Sequence, residues 1–478
     1  MKIKLTLLLI VYYLFSFGQT ENYQRSLDRF LANEDIKNAS VGIYAVNLNS
    51  GHIILDKNSN ISIVPASILK LFTTATALEI FGDKKQFKTD LAYTGDITTN
   101  GVLNGNIYIL GYGDPCLDSD NFNSHYNTPK DMLLQWVDAI DRIGIKKING
   151  GIFGVPVKFG KGIIPDKWMW EDIANYYGTV PSGLNYKDNE YRVHFRTGSY
   201  EGAKTEIIKI VPDDTGLRFE NKVLSASRGG DRAYIYFNHG ENNRIIRGTL
   251  PWKRSDFSIR GSLPNPELYI AQALTNQLQN AGIPVKDDPA VKEYSDNLNT
   301  GNIFFTTLSP PIQEIINITN QKSLNLYAEA LALQLSDEQS KDFPDLITEF
   351  WQNKGMDIDG LYIVDGSGLS PANGVTPMQM VFLLDYMKNK SPYSNSFINS
   401  LAVSGESGTL ARTFTHQNTK GKIKAKSGGM TRVRAYAGYM TLKNKNEIAF
   451  CIIVNNYNCS ALKIRQLIEK LFEEIAGF

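Results

Sequence analysis

Apolar-rich runs at Val41–Val46 and His52–Leu55, joined through Asn49-Ser50-Gly51, predict a β-hairpin near the start of the chain. An apolar run opening at Ser67 and continuing through Leu71, Phe72 and Ala75 predicts a helix directly after it. Near the other end, Ile423 to Ser427, Val433 to Leu442 and Glu447 to Asn455 predict three consecutive strands. Leu462, Leu467, Ile468, Leu471, Phe472 and Ile475 then recur at the period of an amphipathic helix packed on a core. Together these segments predict an antiparallel sheet with helices against it, assembled from both ends of the chain. The interior reads differently. From about 86 to 301, β-branched alternation and Gly/Asn turns dominate, as at Leu91–Asp96 and Asn106–Leu110, with helices expected near Lys130–Ile143 and Glu267–Ala281. A core split by so long a segment implies an inserted domain, so the expected fold class is α+β. Residues 19–85 and 302–478 form one discontinuous domain, and 86–301 a large β-rich insertion.

The first 18 residues stand apart from both. Lys2 and Lys4 precede an uncharged apolar run from Leu5 to Phe17, and Ser16 and Gly18 flank a plausible cut before Gln19. This pattern predicts a secretory signal, too short for a membrane span and with no cysteine at the cut to accept lipid. The expected product is a soluble exported protein with no transmembrane anchor after cleavage, in the periplasm or cell-wall space. Losing two of the 50 basic residues against 49 acidic ones leaves a net charge of about −1, and nothing points to nucleic acid. Three cysteines are an odd count for an oxidising compartment: Cys116 stands alone, and the sequence leaves open whether Cys451 and Cys459 pair or stay as free thiols. His52, His125, His194, His239 and His416 include no pair at helical ligand spacing, so neither a metal nor another cofactor is expected.

Ser67-Ile68-Leu69-Lys70 carries the first chemical signal. A hydroxyl and an amine three residues apart on a helix lie on one face, one turn apart, which gives a weak nucleophile a resident base once burial or a nearby cation lowers the amine's affinity for protons. Ser460-Ala461-Leu462-Lys463 repeats the spacing, but it opens the C-terminal amphipathic segment, where Ser460 is expected to be a helix N-cap. In Lys426-Ser427-Gly428-Gly429, on the first of the three late strands, an ammonium, a hydroxyl and a close-approach backbone could hold a carboxylate and admit a substrate beside the strand. A turn at the end of a surface strand is the plainer reading of that tetrapeptide alone. A Ser-x-Asn triplet occurs three times. Literal Ser-Asp-Asn appears at Ser119-Asp120-Asn121 and Ser295-Asp296-Asn297, both in turn-rich polar stretches, whereas Ser323-Leu324-Asn325 lies between two apolar-periodic segments. A short loop between buried helices suits a catalytic group, so Ser323 and Asn325 are preferred.

Taken in the order Ser67/Lys70, Ser323/Asn325 and Lys426/Ser427/Gly428, the chain resembles the penicillin-binding proteins and serine β-lactamases. More closely it resembles the class C low-molecular-mass penicillin-binding proteins, the D-alanyl-D-alanine carboxypeptidase/endopeptidase family. The likeness extends through Gly111-Tyr112-Gly113-Asp114-Pro115, Pro264-Asn265-Pro266-Glu267-Leu268-Tyr269, Asp365-Gly366-Ser367-Gly368-Leu369-Ser370, Gly408-Thr409-Leu410 and Arg434-Ala435-Tyr436-Ala437-Gly438-Tyr439. It implies a peptidase domain of penicillin-binding-protein/serine β-lactamase type, with a smaller domain nested in the insertion. Departures are modest: Leu324 replaces a common aspartate, Ser427 a threonine, Pro371 an arginine and Cys116 a threonine.

The resemblance also implies a mechanism. Ser67 attacks the carbonyl of the penultimate D-alanine with Lys70 as base, and the backbone N–H groups of Ser67 and Gly429 form the oxyanion hole. Ser323 relays a proton to the leaving amine, Asn325 holds the substrate amide, and Lys426, Ser427 and Gly428 bind the end that carries the carboxylate. Lys426, if near Lys70, helps keep it neutral. The partners implied are peptidoglycan stem peptides and crosslinks, with β-lactams as covalent inhibitors. A β-lactamase fits less well, because the stretch between Ser67 and Ser323 is far too long. A non-catalytic wall-binding or β-lactam-sensing protein on the same fold is the other alternative. A Ser-His-Asp esterase is disfavoured, since neither Gly366-Ser367-Gly368 nor Glu406-Ser407-Gly408 completes a nucleophile elbow and both look like tight turns.

Overall fold

A computed structural model describes residues 21–477 apart from Lys161, Ile163, Asp214 and 238–241; the expected signal segment lies outside the described residues. Two compact units are present. One comprises Met1–Lys84, Ile312–Leu324 and Gln339–Phe478, the other Lys85–Pro311 and Asn325–Glu338.

The first unit is built on a six-stranded antiparallel sheet. Its strands are β1 (Ser40–Asn47), β2 (Ile53–Lys57), β3 (Ala402–Val403), β4 (Ile423–Met430), β5 (Val433–Thr441) and β6 (Glu447–Asn455), in the spatial order β3-β4-β5-β6-β1-β2. The hairpin and the three late strands expected from the sequence are therefore all present, and the seam between the two ends of the chain is β1 against β6, from Ser40 opposite Asn455 to Asn47 opposite Ile448. The helices of this unit include α1 (Lys70–Phe81), α2 (Ile312–Lys322), α3 (Pro377–Asn389) and α4 (Ala461–Ala476). Side chains alternate across the sheet, so β6 gives Ile448, Phe450, Ile452 and Val454 to one face, where they pack with Ile464, Ile468, Leu471, Phe472 and Ile475 of α4. Leu462 is the exception to the expected apolar stripe: it is 53% exposed in the first turn, before α4 reaches the sheet. The opposite face receives α3, whose Leu384 carbonyl accepts a hydrogen bond from Tyr439 Oη at 2.8 Å.

Helix α1 is buried on all sides, which explains its apolar and threonine-rich sequence without a polar stripe. Its threonines are satisfied locally: Thr73 donates to the Gly366 carbonyl at 2.6 Å, Thr74 to the Lys70 carbonyl at 2.8 Å, and Thr76 accepts from Trp351 Nε1 at 3.0 Å. Such a helix makes a stiff mount for whatever stands at its N-terminus.

In the second unit a five-stranded sheet takes the order Ala290–Val291, Ile152–Pro156, Ile107–Gly111, Lys88–Tyr93 and Asn302–Leu308. Two three-stranded sheets from residues 190–262 enclose a separate core that includes Val193, Phe195, Val223, Ile235, Ile246 and Ile259. The expected helices are Met132–Arg142 and Pro266–Asn280. The compact unit runs past the expected end at residue 301. Strand Asn302–Leu308 pairs antiparallel with Lys88–Tyr93, which brings it into this unit, and the helix Asn325–Gln339 is almost wholly in it as well.

All three cysteines are free thiols, Cys116 and Cys451 buried and Cys459 half-buried. No helix among the described residues is long and apolar enough to cross a membrane.

Candidate active site

Ser67 and Lys70 stand where a 3-10 turn, Ala66–Leu69, passes into α1. Lys70 is fully buried, and its Nζ lies 3.1 Å from Ser67 Oγ and donates to the Ser367 carbonyl at 2.7 Å. The entry to the turn is unusual. Ala66 adopts φ 48°, a left-handed conformation that a residue with a β-carbon disfavours. Gly368, at φ 78°, packs against it so closely that a β-carbon there would fall 2.1 Å from the Ala66 carbonyl oxygen. The loop that brings up Gly368 and the Ser367 carbonyl is wound around the buried Asp365 carboxylate. That carboxylate accepts from the Gly368 N–H at 2.8 Å, the Ser370 N–H at 2.6 Å and Asn373 Nδ2 at 2.9 Å. Asp365 to Ser370 are thus a tight turn, as expected, but one that aims a carbonyl at the Lys70 amine.

The second and third motifs meet at another lysine. Ser323 follows α2 at φ 60°, and its Oγ accepts a hydrogen bond from Lys426 Nζ at 2.7 Å. Lys426 is fully buried on β4 and donates also to the Ser427 carbonyl at 2.7 Å. Burial, and after it the charge of Lys70, holds the Lys426 ammonium well below the usual lysine range. Ser427 Oγ donates to Thr409 Oγ1 at 2.8 Å. Thr409 sits on the turn Gly408–Leu410, which is tied to α2 because Gln321 Oε1 accepts from Ser407 Oγ at 3.0 Å and Gln321 Nε2 donates to the Leu401 carbonyl at 2.8 Å.

Gly428 explains how the strand and the Ser67 turn come together. A β-carbon at this position would lie 2.7 Å from the Pro65 carbonyl oxygen and 3.2 Å from the Ser67 nitrogen, so only glycine permits the approach. On the side of β4 away from β5, β3 pairs with Lys424 and Ala425 only. From Ser427 to Met430, Gly429 included, that edge has no strand partner among the described residues, which leaves backbone groups available to an extended peptide.

Ser67, Lys70, Ser323, Lys426, Ser427, Gly428 and Gly429 all belong to the first unit. Asn325 is the first residue of the helix Asn325–Gln339 in the second unit, where its Nδ2 donates to the Tyr177 carbonyl at 2.6 Å. Ser367, Thr409 and Gln321 were not singled out as site residues. Motif likeness marked the first two, but a carbonyl's aim or a hydroxyl's neighbour depends on turn geometry, and nothing in the sequence around Gln321 marked it.

The repeated motifs separate clearly. Ser460 caps α4, accepting from the Lys463 N–H at 3.2 Å. Ser295, Asp296 and Asn297 are exposed. Ser119 departs from the expected polar turn: it is fully buried and hydrogen-bonded within the second unit, because its hydroxyl finds a carboxylate partner, Asp188, at 2.9 Å.

Residues 23–474 match the family described as D-Ala-D-Ala carboxypeptidase 3 (S13). A D-alanyl-D-alanine carboxypeptidase of Actinomadura sp. (strain R39) is 26% identical over 473 residues, which cover 95% of this chain and 85% of the relative. The crystal structure of penicillin binding protein 4 (dacB) from Haemophilus influenzae superposes with a TM-score of 0.77 at 23% identity, covering 94% of this chain and 99% of that one. A second structure of that protein, complexed with a novel β-lactam, covers the same shares at 23% identity with a TM-score of 0.73.

Proposed function

Because the chain belongs to the D-Ala-D-Ala carboxypeptidase 3 (S13) family, we propose that it hydrolyses the bond between the terminal D-alanines of peptidoglycan stem peptides, and the same type of bond in D,D-crosslinks, through an acyl-enzyme on Ser67. The observation that carries this reading is the pairing of a half-buried serine hydroxyl with a fully buried amine 3.1 Å away. In its neutral form that amine donates to the Ser367 carbonyl and keeps a lone pair for the Ser67 proton.

Ser67 Oγ attacks the carbonyl carbon of the penultimate D-alanine as its proton passes to Lys70. The developing oxyanion takes hydrogen bonds from the N–H groups of Ser67 and Gly429, a class of contact contributing about 3–4 kcal/mol to the transition state. Lys426 and Ser427 receive the terminal carboxylate, with Gly428 giving the strand its close approach, and Asn325 holds the substrate amide. Two buried amines that feel each other share protons as a pair, so arrival of the carboxylate favours the charge on Lys426 and leaves Lys70 neutral for its role as base. Ser323, within hydrogen-bond reach of Lys426, relays a proton to the departing amine, and water then hydrolyses the ester.

A strained lactam offers the same carbonyl to the same serine, so β-lactams act as covalent inhibitors; the fold shared with a penicillin-binding protein supports this. Residues 1–18 serve as a signal for export, and the mature enzyme works in the periplasm or cell-wall space, where its substrate is.

The choice among the three Ser-x-Asn triplets gives the test. Ser323→Ala and Asn325→Ala should each lower D-alanine release by about two to three orders of magnitude, because both contact groups that change as the tetrahedral intermediate forms. Ser295→Ala, on an exposed turn, should match the parent. D-alanine released from purified stem peptides measures all three, and loss in Ser295→Ala with retention in Ser323→Ala would overturn the assignment.

A further inference from the structure

Lys187, Asp188 and Asn189 occupy the left-handed region in succession, at φ 49°, 58° and 50°. None is glycine, and side chains with a β-carbon disfavour this conformation, so three in a row must be held by their surroundings. They are. The Lys187 N–H donates to the Leu117 carbonyl at 3.0 Å, Asn189 Oδ1 accepts from the Tyr186 N–H at 2.9 Å, and Asn189 Nδ2 donates to Asn185 Oδ1 at 2.8 Å.

What the turn achieves is the placement of the Asp188 carboxylate. Its Oδ1 accepts from Tyr327 Oη at 2.7 Å, and its Oδ2 accepts from Ser119 Oγ at 2.9 Å and Asn121 Nδ2 at 3.3 Å. Tyr327 Oη is also 3.0 Å from Ser119 Oγ, and its ring stacks on Phe122 at a centroid distance of 6.3 Å. Ser119 and Tyr327 are both fully buried. Ser119 and Asn121 are the outer members of a literal Ser-Asp-Asn triplet, so this copy is part of the network rather than an idle surface turn.

Tyr327 is the third residue of the helix that Asn325 opens. The same helix is fixed further along, where Gln334 Nε2 donates to the Tyr112 carbonyl at 2.7 Å. Phenylalanine would fill the site of the Tyr327 ring equally well, so the buried hydroxyl serves to fix the position of the first turn. We propose that Asp188, Ser119 and Tyr327 form a positioning clamp that seats Asn325 for the substrate amide. The clamp rests on the role given to Asn325 above, and its residues act through Asn325 without touching substrate. The strained Lys187–Asn189 turn and the Ser119 turn together fix the first turn of the helix that Asn325 opens.

The test is a double-mutant cycle in the full chain. It is read as the acylation rate by a chromogenic cephalosporin and as kcat and KM for D-alanine release from a small D-Ala-D-Ala peptide. Tyr327→Phe is expected to slow acylation about 10- to 100-fold, with the loss in kcat exceeding any rise in KM, since a slightly misplaced contact is felt most in the transition state. In an Asn325→Ala background the same change should cost less than about twofold, because no seated amide contact remains to be misplaced. Equal losses in the two backgrounds, or no loss in the parent, would overturn the clamp. If Tyr327→Phe does not fold, Ser119→Ala takes its place in the cycle with the same expected and contrary results. A parent enzyme that neither releases D-alanine nor reacts with the cephalosporin would overturn the proposed function, and the clamp with it.

Discussion

Ser67→Ala is expected to release no D-alanine above the uncatalysed background, a loss of about five to six orders of magnitude in kcat, while folding as the parent does. The size follows from the loss of the covalent route: without Oγ no acyl-enzyme forms, and the remaining groups can only bind and polarise the substrate. Stability should hardly change, because Ser67 is half-buried and the change removes one oxygen atom without opening a core cavity. Kinetics of D-alanine release beside thermal unfolding check both parts. Substantial turnover in a folded Ser67→Ala protein would mean that another group is the nucleophile.

Lys70→Ala should be the next most damaging change, lowering acylation by about three or more orders of magnitude. The serine hydroxyl scarcely ionises at neutral pH and loses its only proposed proton acceptor. Some stability should go too, about 1–3 kcal/mol, since the Ser367 carbonyl loses the donor that now meets it at 2.7 Å. Lys463→Ala supplies the matched control. Lys463 has the same spacing from a serine, but its side chain is exposed on α4 and only its backbone N–H is used, by the Ser460 cap. Acylation rates measured by stopped flow should separate the two variants widely; similar rates would remove Lys70 from the role of base.

The parts of this molecule that depend on local patterning were legible in its sequence. The β1–β2 hairpin, β4 to β6 and α4 follow from apolar runs and the period of the final helix, and the Ser67/Lys70 pair from helical spacing. Partnerships across long sequence distances were not. Strand Asn302–Leu308 lies more than 200 residues from its partner Lys88–Tyr93, and no residue in it announces that pairing. Ser119-Asp120-Asn121 looked like a surface turn because letters record polarity and not burial; the Asp188 carboxylate that makes burial of Ser119 affordable comes from a left-handed turn that three non-glycine residues do not advertise. The same limit hid the Ser367 carbonyl from a reading based on side chains, although it lies against the amine of Lys70.

Reaction with a labelled penicillin, followed by intact mass and peptide mapping, tests the central claim most directly. One label per chain, on the peptide that contains Ser67 and absent from Ser67→Ala, is the predicted result. A label mapped to another serine, or one that persists in Ser67→Ala, would contradict the account.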